Sequence, residues 1–221
     1  MFNKILFLRK SSDKFADKIQ SNLKKKTKIL HVVLTDIKKV KIKKSTKYDY
    51  IFVFRSHFIL KKRLINQAKY AAINFHPGPP TYRGIGCVNY ALFENSKTYG
   101  ATAHLIDDKV DHGQIIDVRL FKISNLDNIE KVLKKTYKLQ YFQAIRLISS
   151  LYKNNLNLIK LLKNNKKIKW SKRIKNRLYL NKFYKISYNT NKSDLKKKLR
   201  ATITKKFKPY VEIHGVKFFH K

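Results

Sequence analysis

Along the first third of the chain, short solid runs of apolar residues alternate with stretches whose apolar positions recur at helical spacing. Lys4 to Arg9 (KILFLR), Lys28 to Thr35 (KILHVVLT) and Tyr50 to Phe54 (YIFVF) read as buried strands. Ser12 opens a Lys-rich segment in which Phe15, Ile19 and Leu23 share one helix face. Asp36 to Lys47 is a polar, basic connection. Phe58 to Lys69 carries Leu60, Leu64, Ile65 and Ala68 at helical spacing, and Ala71 to Phe75 is a compact apolar run that stops at His76-Pro77. Strands of this kind alternating with helices predict an α/β fold with a mainly parallel central sheet covered on both faces.

The second half continues the pattern with changes. Cys87 to Glu94 predicts a helix, and Tyr99 to Ile106 and Gln114 to Ile123 predict strands joined by the loop Asp107 to Gly113. Asp127 to Lys163 predicts one long helix and a shorter partner, with a break near Asn154-Asn155. Past Asn164 the pattern weakens: Trp170 to Ile186 is basic and aromatic, Ser193 to Arg200 suits a short helix, and Tyr210 to Phe219 suits a hairpin turning at His214-Gly215. The expected organisation is a domain over residues 1–163 and a small basic, aromatic appendage over 164–221.

Glycine and proline change this picture by marking where the built loops are. Five of the six glycines and three of the four prolines lie between Ile73 and Gly113. Glycine reaches backbone angles other residues resist and proline fixes φ, so this stretch holds shaped loops. Ligands of parallel α/β sheets sit beyond the carboxyl ends of the strands, where Asn74 and His76 stand. Two apart on a strand, these side chains point to the same side. An imidazole exchanges protons near neutral pH, and an amide offers N–H donors to a carbonyl oxygen that becomes negative. Asp111, brought alongside by its loop, would orient the imidazole and stabilise its protonated form. No serine or cysteine nucleophile is expected at an elbow beside them, so the group suits acyl transfer directly onto an incoming nucleophile.

Charge and cysteine content bound the rest. The formal charge of +39 comes from 52 Lys and Arg against 13 Asp and Glu. It has two readings: a surface for polyanions, or a compositional bias spread along the chain beside many Asn and Ile. One cysteine, Cys87, excludes an intramolecular disulfide and a multi-cysteine zinc site. The apolar run at Met1 to Arg9 is too short for a signal peptide, and no stretch approaches the roughly 20 apolar residues of a membrane span, so a cytoplasmic location is expected.

INFHPGPPTYRGIGCVNYAL followed by YGATAHLIDDKVDHGQII resembles the N-terminal domain of the 10-formyltetrahydrofolate-dependent formyltransferases. That family includes enzymes acting on methionyl-tRNA, on glycinamide ribonucleotide and on sugar nucleotides. Its Asn-x-His at a strand end and later Asp-x-Gly match Asn74, His76, Asp111 and Gly113, and the likeness is strong from Ala71 to Ile123. The resemblance implies a Rossmann-like formyltransferase domain. It also implies attack of an acceptor's primary amine on the formyl carbon of 10-formyltetrahydrofolate. Asn74 and His76 would stabilise the oxyanion, and Asp111 would position His76 and assist proton removal, with no metal and no covalent intermediate. By position, the folate would lie between Ser56, His57, Phe58 and Ile59 and the loop carrying Asp107, Asp108 and Val110.

Two departures stand out. Many members read His-x-Ser-Leu-Leu-Pro, whereas His76-Pro77-Gly78-Pro79-Pro80 is shorter and stiffer before Arg83-Gly84. Pro79, Pro80, Arg83 and Gly84 are therefore the expected acceptor-binding residues. His112 fills a position that is usually small, and is expected to face solvent. The leading acceptor is an amino sugar carried on a nucleotide, because residues 164–221 look short for the tRNA-contacting barrel of methionyl-tRNA formyltransferase. tRNA remains the alternative, favoured by charge and by the aromatic, basic run from Trp170. The third reading is a folate- or nucleotide-binding module without turnover, against which the retention of all three polar residues argues.

Overall fold

The computed structural model describes residues 1–36, 42, 46–154 and 156–220. Most of the connection expected at Asp36 to Lys47 lies outside the described residues. In chain order the elements are β1 (Phe2–Arg9), α1 (Lys14–Lys24), β2 (Thr27–Leu34), β3 (Tyr48–Phe54), α2 (Lys62–Ile65), β4 (Ala68–His76), β5 (Arg83–Gly84), α3 (Cys87–Phe93), β6 (Thr98–Leu105) and β7 (Ile115–Lys122). They continue with α4 (Ile129–Lys153), α5 (Leu156–Asn164), β8 (Ile174–Lys175), α6 (Arg177–Tyr184), α7 (Lys192–Thr202), β9 (Tyr210–Ile213) and β10 (Val216–Phe219).

Six strands form one sheet in the order β2-β1-β3-β4-β6-β7. The first four run parallel, and β6 and β7 pair antiparallel. Both faces are buried, as the solid apolar runs predict. On one face Ile5, Phe7, Phe52, Phe54, Ile73 and Phe75 pack against α1 and α4; on the other Leu6, Leu8, Ile51, Val53 and Ala72 pack beneath Leu60, Phe58 and Ile106. The period-2 alternation therefore sends Ala72, Asn74 and His76 to the second face.

The α1 helix starts where Asp13 caps the Phe15 and Ala16 amides, and Arg55 pairs with the same Asp13 at 2.7 Å while lying over the Tyr137 ring. These contacts tie the carboxyl end of β3 to α1 and α4. The helix expected over Phe58 to Lys69 is confined to Lys62–Ile65. Leu60 is instead recruited as a buried plug in an extended segment, because the sheet face needed covering there more than the helix needed another turn. The α6 helix had no expectation; Asn176 caps it by accepting from the Tyr179 amide.

Residues beyond 164 pack back on the sheet domain. Ala201 joins Cys87, Val88, Ala91, Leu92 and Val132 in a second apolar cluster, and Phe183 packs on Tyr90 and Phe93. Buried Asn89 donates to the Ala201 carbonyl at 2.7 Å, and Arg200 donates to the Asp127 and Ser124 carbonyls. Some of the basic residues serve this packing: Lys175 lies over Tyr90 and Lys198 over Phe183. Among the described residues no helix is long and apolar enough to cross a membrane.

Truncating Asn89 would leave the Ala201 carbonyl buried without its donor. Asn89→Ala is expected to lower the unfolding free energy by about 1–3 kcal/mol, measured by urea denaturation of the whole chain. An unchanged midpoint would mean that α7 is not docked on α3 in solution.

Candidate functional site

Register brings the polar group together. In the β4–β6 ladder Asn74 stands opposite His104 and His76 opposite Thr102. Directly opposed side chains touch, so the Asn74 amide nitrogen lies 3.0 Å from His104 Nε2. His104 Nδ1 is 2.7 Å from the Leu105 carbonyl, which can only accept. In the neutral ring, Nδ1–H therefore donates there and Nε2 accepts from Asn74.

Asp111 reaches the group from the β6–β7 loop. Its φ of +45 lies in the left-handed region, which Asp tolerates better than most residues. The carboxylate places Oδ2 3.3 Å from His76 Nδ1 and Oδ1 3.6 Å from His104 Nε2, and Oδ2 accepts the Gly84 amide N–H at 2.9 Å. Gly113 has a separate reason to be glycine: a Cβ there would fall 1.9 Å from the Leu105 carbonyl oxygen.

His76 is nearly sealed, with 4% of its surface exposed. Nε2 lies 3.0 Å from the Tyr82 carbonyl, so both ring nitrogens face acceptors and the doubly protonated ring satisfies both. Burial opposes that charge, but the charge and hydrogen bond of Asp111, with a smaller contribution from the Cys87 thiol, hold His76 well above the ordinary imidazole range. Burial would also raise the Asp111 pKa. The charge and hydrogen bond of His76, with the Gly84 N–H, reverse this and hold it well below the usual carboxylate range. The resting site is an imidazolium–carboxylate pair beside a hydrogen-bonded amide.

Three participants were not anticipated from sequence. His104 is one; the strand alternation of YGATAHLI put it on the site face, but only the β4–β6 register identifies its partner. Cys87 is another: its sulfur lies 3.8 Å from His76 Nε2, and the Gly84-Ile85-Gly86 turn before it was the available signal. The thiol donates to the Gly84 carbonyl at 3.3 Å, and a protonated His76 cannot act as its base. The third is Trp170, whose indole N–H donates to the Gly113 carbonyl at 2.8 Å.

The remaining expected residues fall in distinct places. Arg83 bridges the Val110 and Ser171 carbonyls at 3.0 Å each, and Gly84 holds Asp111. Pro79 and Pro80 are buried, with their carbonyls accepting the Tyr82 and Ser171 amides. Two cavities, of about 330 and 230 Å³, flank Arg83 and also share Ser171 and Lys172. Ser56, His57, Phe58 and Ile59 line neither, although Phe58 packs with Ile106 at the root of the loop carrying Asp107, Asp108 and Val110. His57, Ile59, Asp108 and Val110 are exposed. His112 is exposed as expected, but paired with Asp107 at 2.6 Å.

Stability should follow this ion pair. A histidine held above its unfolded pKa of about 6.5 stabilises the fold fully below that value and loses the contribution as pH rises through the folded value. An aspartate held below its unfolded pKa of about 3.9 stabilises above that value and loses the contribution as pH falls. The urea midpoint is therefore expected to be highest between about pH 4 and 6.5 and to decline on the alkaline side. His76→Gln is expected to flatten that alkaline decline; an unaltered slope in the variant would assign it to other groups.

Residues 9–148 match the family model described as formyl transferase. The chain is 26% identical over 155 residues to methionyl-tRNA formyltransferase of Prochlorococcus marinus, covering 69% of this chain and 47% of that protein. The bifunctional polymyxin resistance protein ArnA of Wigglesworthia glossinidia brevipalpis is 27% identical over 155 residues, covering 66% of this chain and 24% of that protein. The chain thus spans about half or less of the curated relatives it matches. Among solved structures, a sugar N-formyltransferase from Shewanella sp has the same fold, with a TM-score of 0.71 at 17% identity, over 99% of this chain and 96% of that one. An N-formyltransferase from Helicobacter canadensis, in complex with folinic acid and dTDP-3-aminofucose, gives 0.67 at 20% identity over 97% and 86%.

Proposed function

We propose a reaction for this chain, which belongs to the formyl transferase family: it moves the formyl group of 10-formyltetrahydrofolate onto a primary amine. The observation that carries this reading is the buried His76–Asp111 pair beside Asn74. His76 holds a proton at Nε2 that would move from the Tyr82 carbonyl to the formyl oxygen as that oxygen gains charge. Asn74 is the second donor candidate, on the same strand face. Asp111 keeps His76 protonated and would assist removal of the amine's proton, which passes to the folate N10 as the bond from that nitrogen to the formyl carbon breaks. A protonated imidazole acts here as an electrostatic donor rather than as a base.

The folate substrate would lie between Ser56–Ile59 and Asp107–Asp111, as the resemblance implies. A folded carboxylate-bearing loop beside an apolar floor containing Phe58 and Ile106 suits a flat, hydrogen-bonding ring.

For the acceptor, a nucleotide-linked amino sugar is favoured. The two sugar N-formyltransferase-type structures match this chain over 97–99% of its length, which includes residues 164–221 packed against α3. Arg83, Lys172 and Arg173 around the two cavities would serve the phosphates of such a substrate. The second reading, formylation of methionyl-tRNA, is supported by the sequence relative that acts on that tRNA and by the charge of +39.

His76→Ala and Asp111→Ala are each expected to lower formyl transfer about 100-fold or more while the chain stays folded by circular dichroism. Undiminished turnover in either would remove the mechanism. Offered 10-formyltetrahydrofolate with a panel of nucleotide-linked amino sugars or with methionyl-tRNA, the chain is expected to formylate a sugar. Formyl-methionyl-tRNA as the sole product would establish the second reading.

A further inference from the structure

After α5 the chain crosses the catalytic loops in an extended strap, residues 170–175, and each of its anchors lands on one of those loops. The Trp170 indole donates to the Gly113 carbonyl at 2.8 Å, and the Ser171 amide donates to the Pro80 carbonyl at 2.9 Å. Arg83 donates to the Ser171 carbonyl, and the Ile85 amide donates to the Lys175 carbonyl at 2.8 Å. β8 runs beside β5 so closely that Gly84, at φ +84, has no room for a Cβ, which would fall 2.1 Å from the Lys175 oxygen. The glycine that gives its N–H to Asp111 is thus also the one the strap lies on.

Trp170 is the chain's single tryptophan, and its ring stands nearly perpendicular to two imidazoles at once. It meets His76 at a centroid distance of 5.6 Å and 79°, and His104 at 5.0 Å and 87°. These are the geometries that aromatic rings favour through their quadrupoles, and each pair resists rotation of the imidazole. One of those imidazoles holds Asp111 and the other holds Asn74. We propose that Trp170 is a positioning residue of the catalytic group: it fixes the ring planes of His76 and His104, ties the Gly113 carbonyl, and keeps water from the His76–Asp111 pair. The proposal rests on the catalytic reading of that pair, but its physical content is the coupling of the indole to the imidazoles.

The titratable groups against His76 are Asp111 from the β6–β7 loop and Cys87 from α3, while His104 from β6 stands beside the other carboxylate oxygen of Asp111. Arg83 and Lys172 stand with Trp170 around one cavity. Asp111 is the anion among them, so loosening the ring from Asp111 weakens what keeps it protonated.

The test uses the whole chain, ring-labelled at histidine, as wild type, Trp170→Phe and Trp170→Ala. The His76 titration midpoint, followed by NMR, is expected to fall toward the ordinary imidazole value in Trp170→Ala and less far in Trp170→Phe, which keeps a ring but loses the N–H. Emission from Trp170 in the wild type is expected to be quenched while His76 is protonated and to recover as it deprotonates, a change absent in His76→Gln. Where transfer is assayed, kcat should drop roughly 10- to 100-fold in Trp170→Ala with little change in KM for the folate. An unchanged His76 midpoint in Trp170→Phe and Trp170→Ala, or tryptophan emission indifferent to pH across about 5 to 10, would overturn the proposal. Neither readout depends on formyl transfer. Failure of the assigned reaction alone would leave the titration and emission changes in place, and failure of the coupling alone would leave wild-type transfer intact.

Discussion

The His76 imidazole and the Asp111 carboxylate, 3.3 Å apart and almost sealed from solvent, impose the constraint that the surrounding loops answer. A buried charge without partners costs several kcal/mol, and a pair is tolerated only if its remaining donors and acceptors are also satisfied. Here the Tyr82 carbonyl takes the far nitrogen of the ring, the Gly84 amide takes a carboxylate oxygen, and His104 stands by the other. His104 is held by β6, but Tyr82 and Gly84 sit on a segment with no strand or helix of useful length, so they have to be held by something else. The proline-rich loop, the two-residue β5–β8 pairing and the Arg83 bridge do that holding.

The same constraint explains the division of labour across the sheet. One face is given wholly to apolar packing under α1 and α4, where Ile73 and Phe75 continue the core without interruption. The other face changes character along β4, from apolar Ala72 to polar Asn74 and His76. Gln140, on α4, reaches the Phe75 carbonyl, so the strand end is fixed from the apolar side while its polar side chains remain directed at the site. Placing the chemistry on a strand end rather than in a free loop gives it the rigidity of the sheet.

The basic character of the chain is distributed in a way that lessens its weight as a polyanion signal. Lysines lie over aromatic rings at Tyr90, Phe183, Tyr210 and Phe207, and Lys185 pairs with Glu212. These contacts use the aliphatic stem as cover and the ammonium as a weak local partner. The positive residues that border the candidate site are fewer: Arg83, Lys169, Lys172, Arg173 and Lys175.

Periodicity was enough to determine the strands, because a strand buried on both faces must be solidly apolar, and Ile5 to Leu8 or Ile51 to Phe54 fit no exposed element. It also determined the long helix and its break, and the hairpin about His214-Gly215. Asn74 and His76 were legible as a pair because they share a strand face, and Asp111 joined them through the Asp-x-Gly of the family that the sequence resembles. What periodicity could not weigh was competition between elements, so Phe58 to Lys69 was assigned to a helix that the sheet face partly unwound to obtain Leu60. Nor could it supply proximity between distant residues. His104 meets Asn74 through ladder register, Cys87 meets His76 through the turn after Gly84, and Trp170 meets both histidines only because the chain returns over its own loops. A local pattern records which face a side chain takes; which partner it finds there depends on the register of the ladder and the path of the chain, which tertiary packing alone decides.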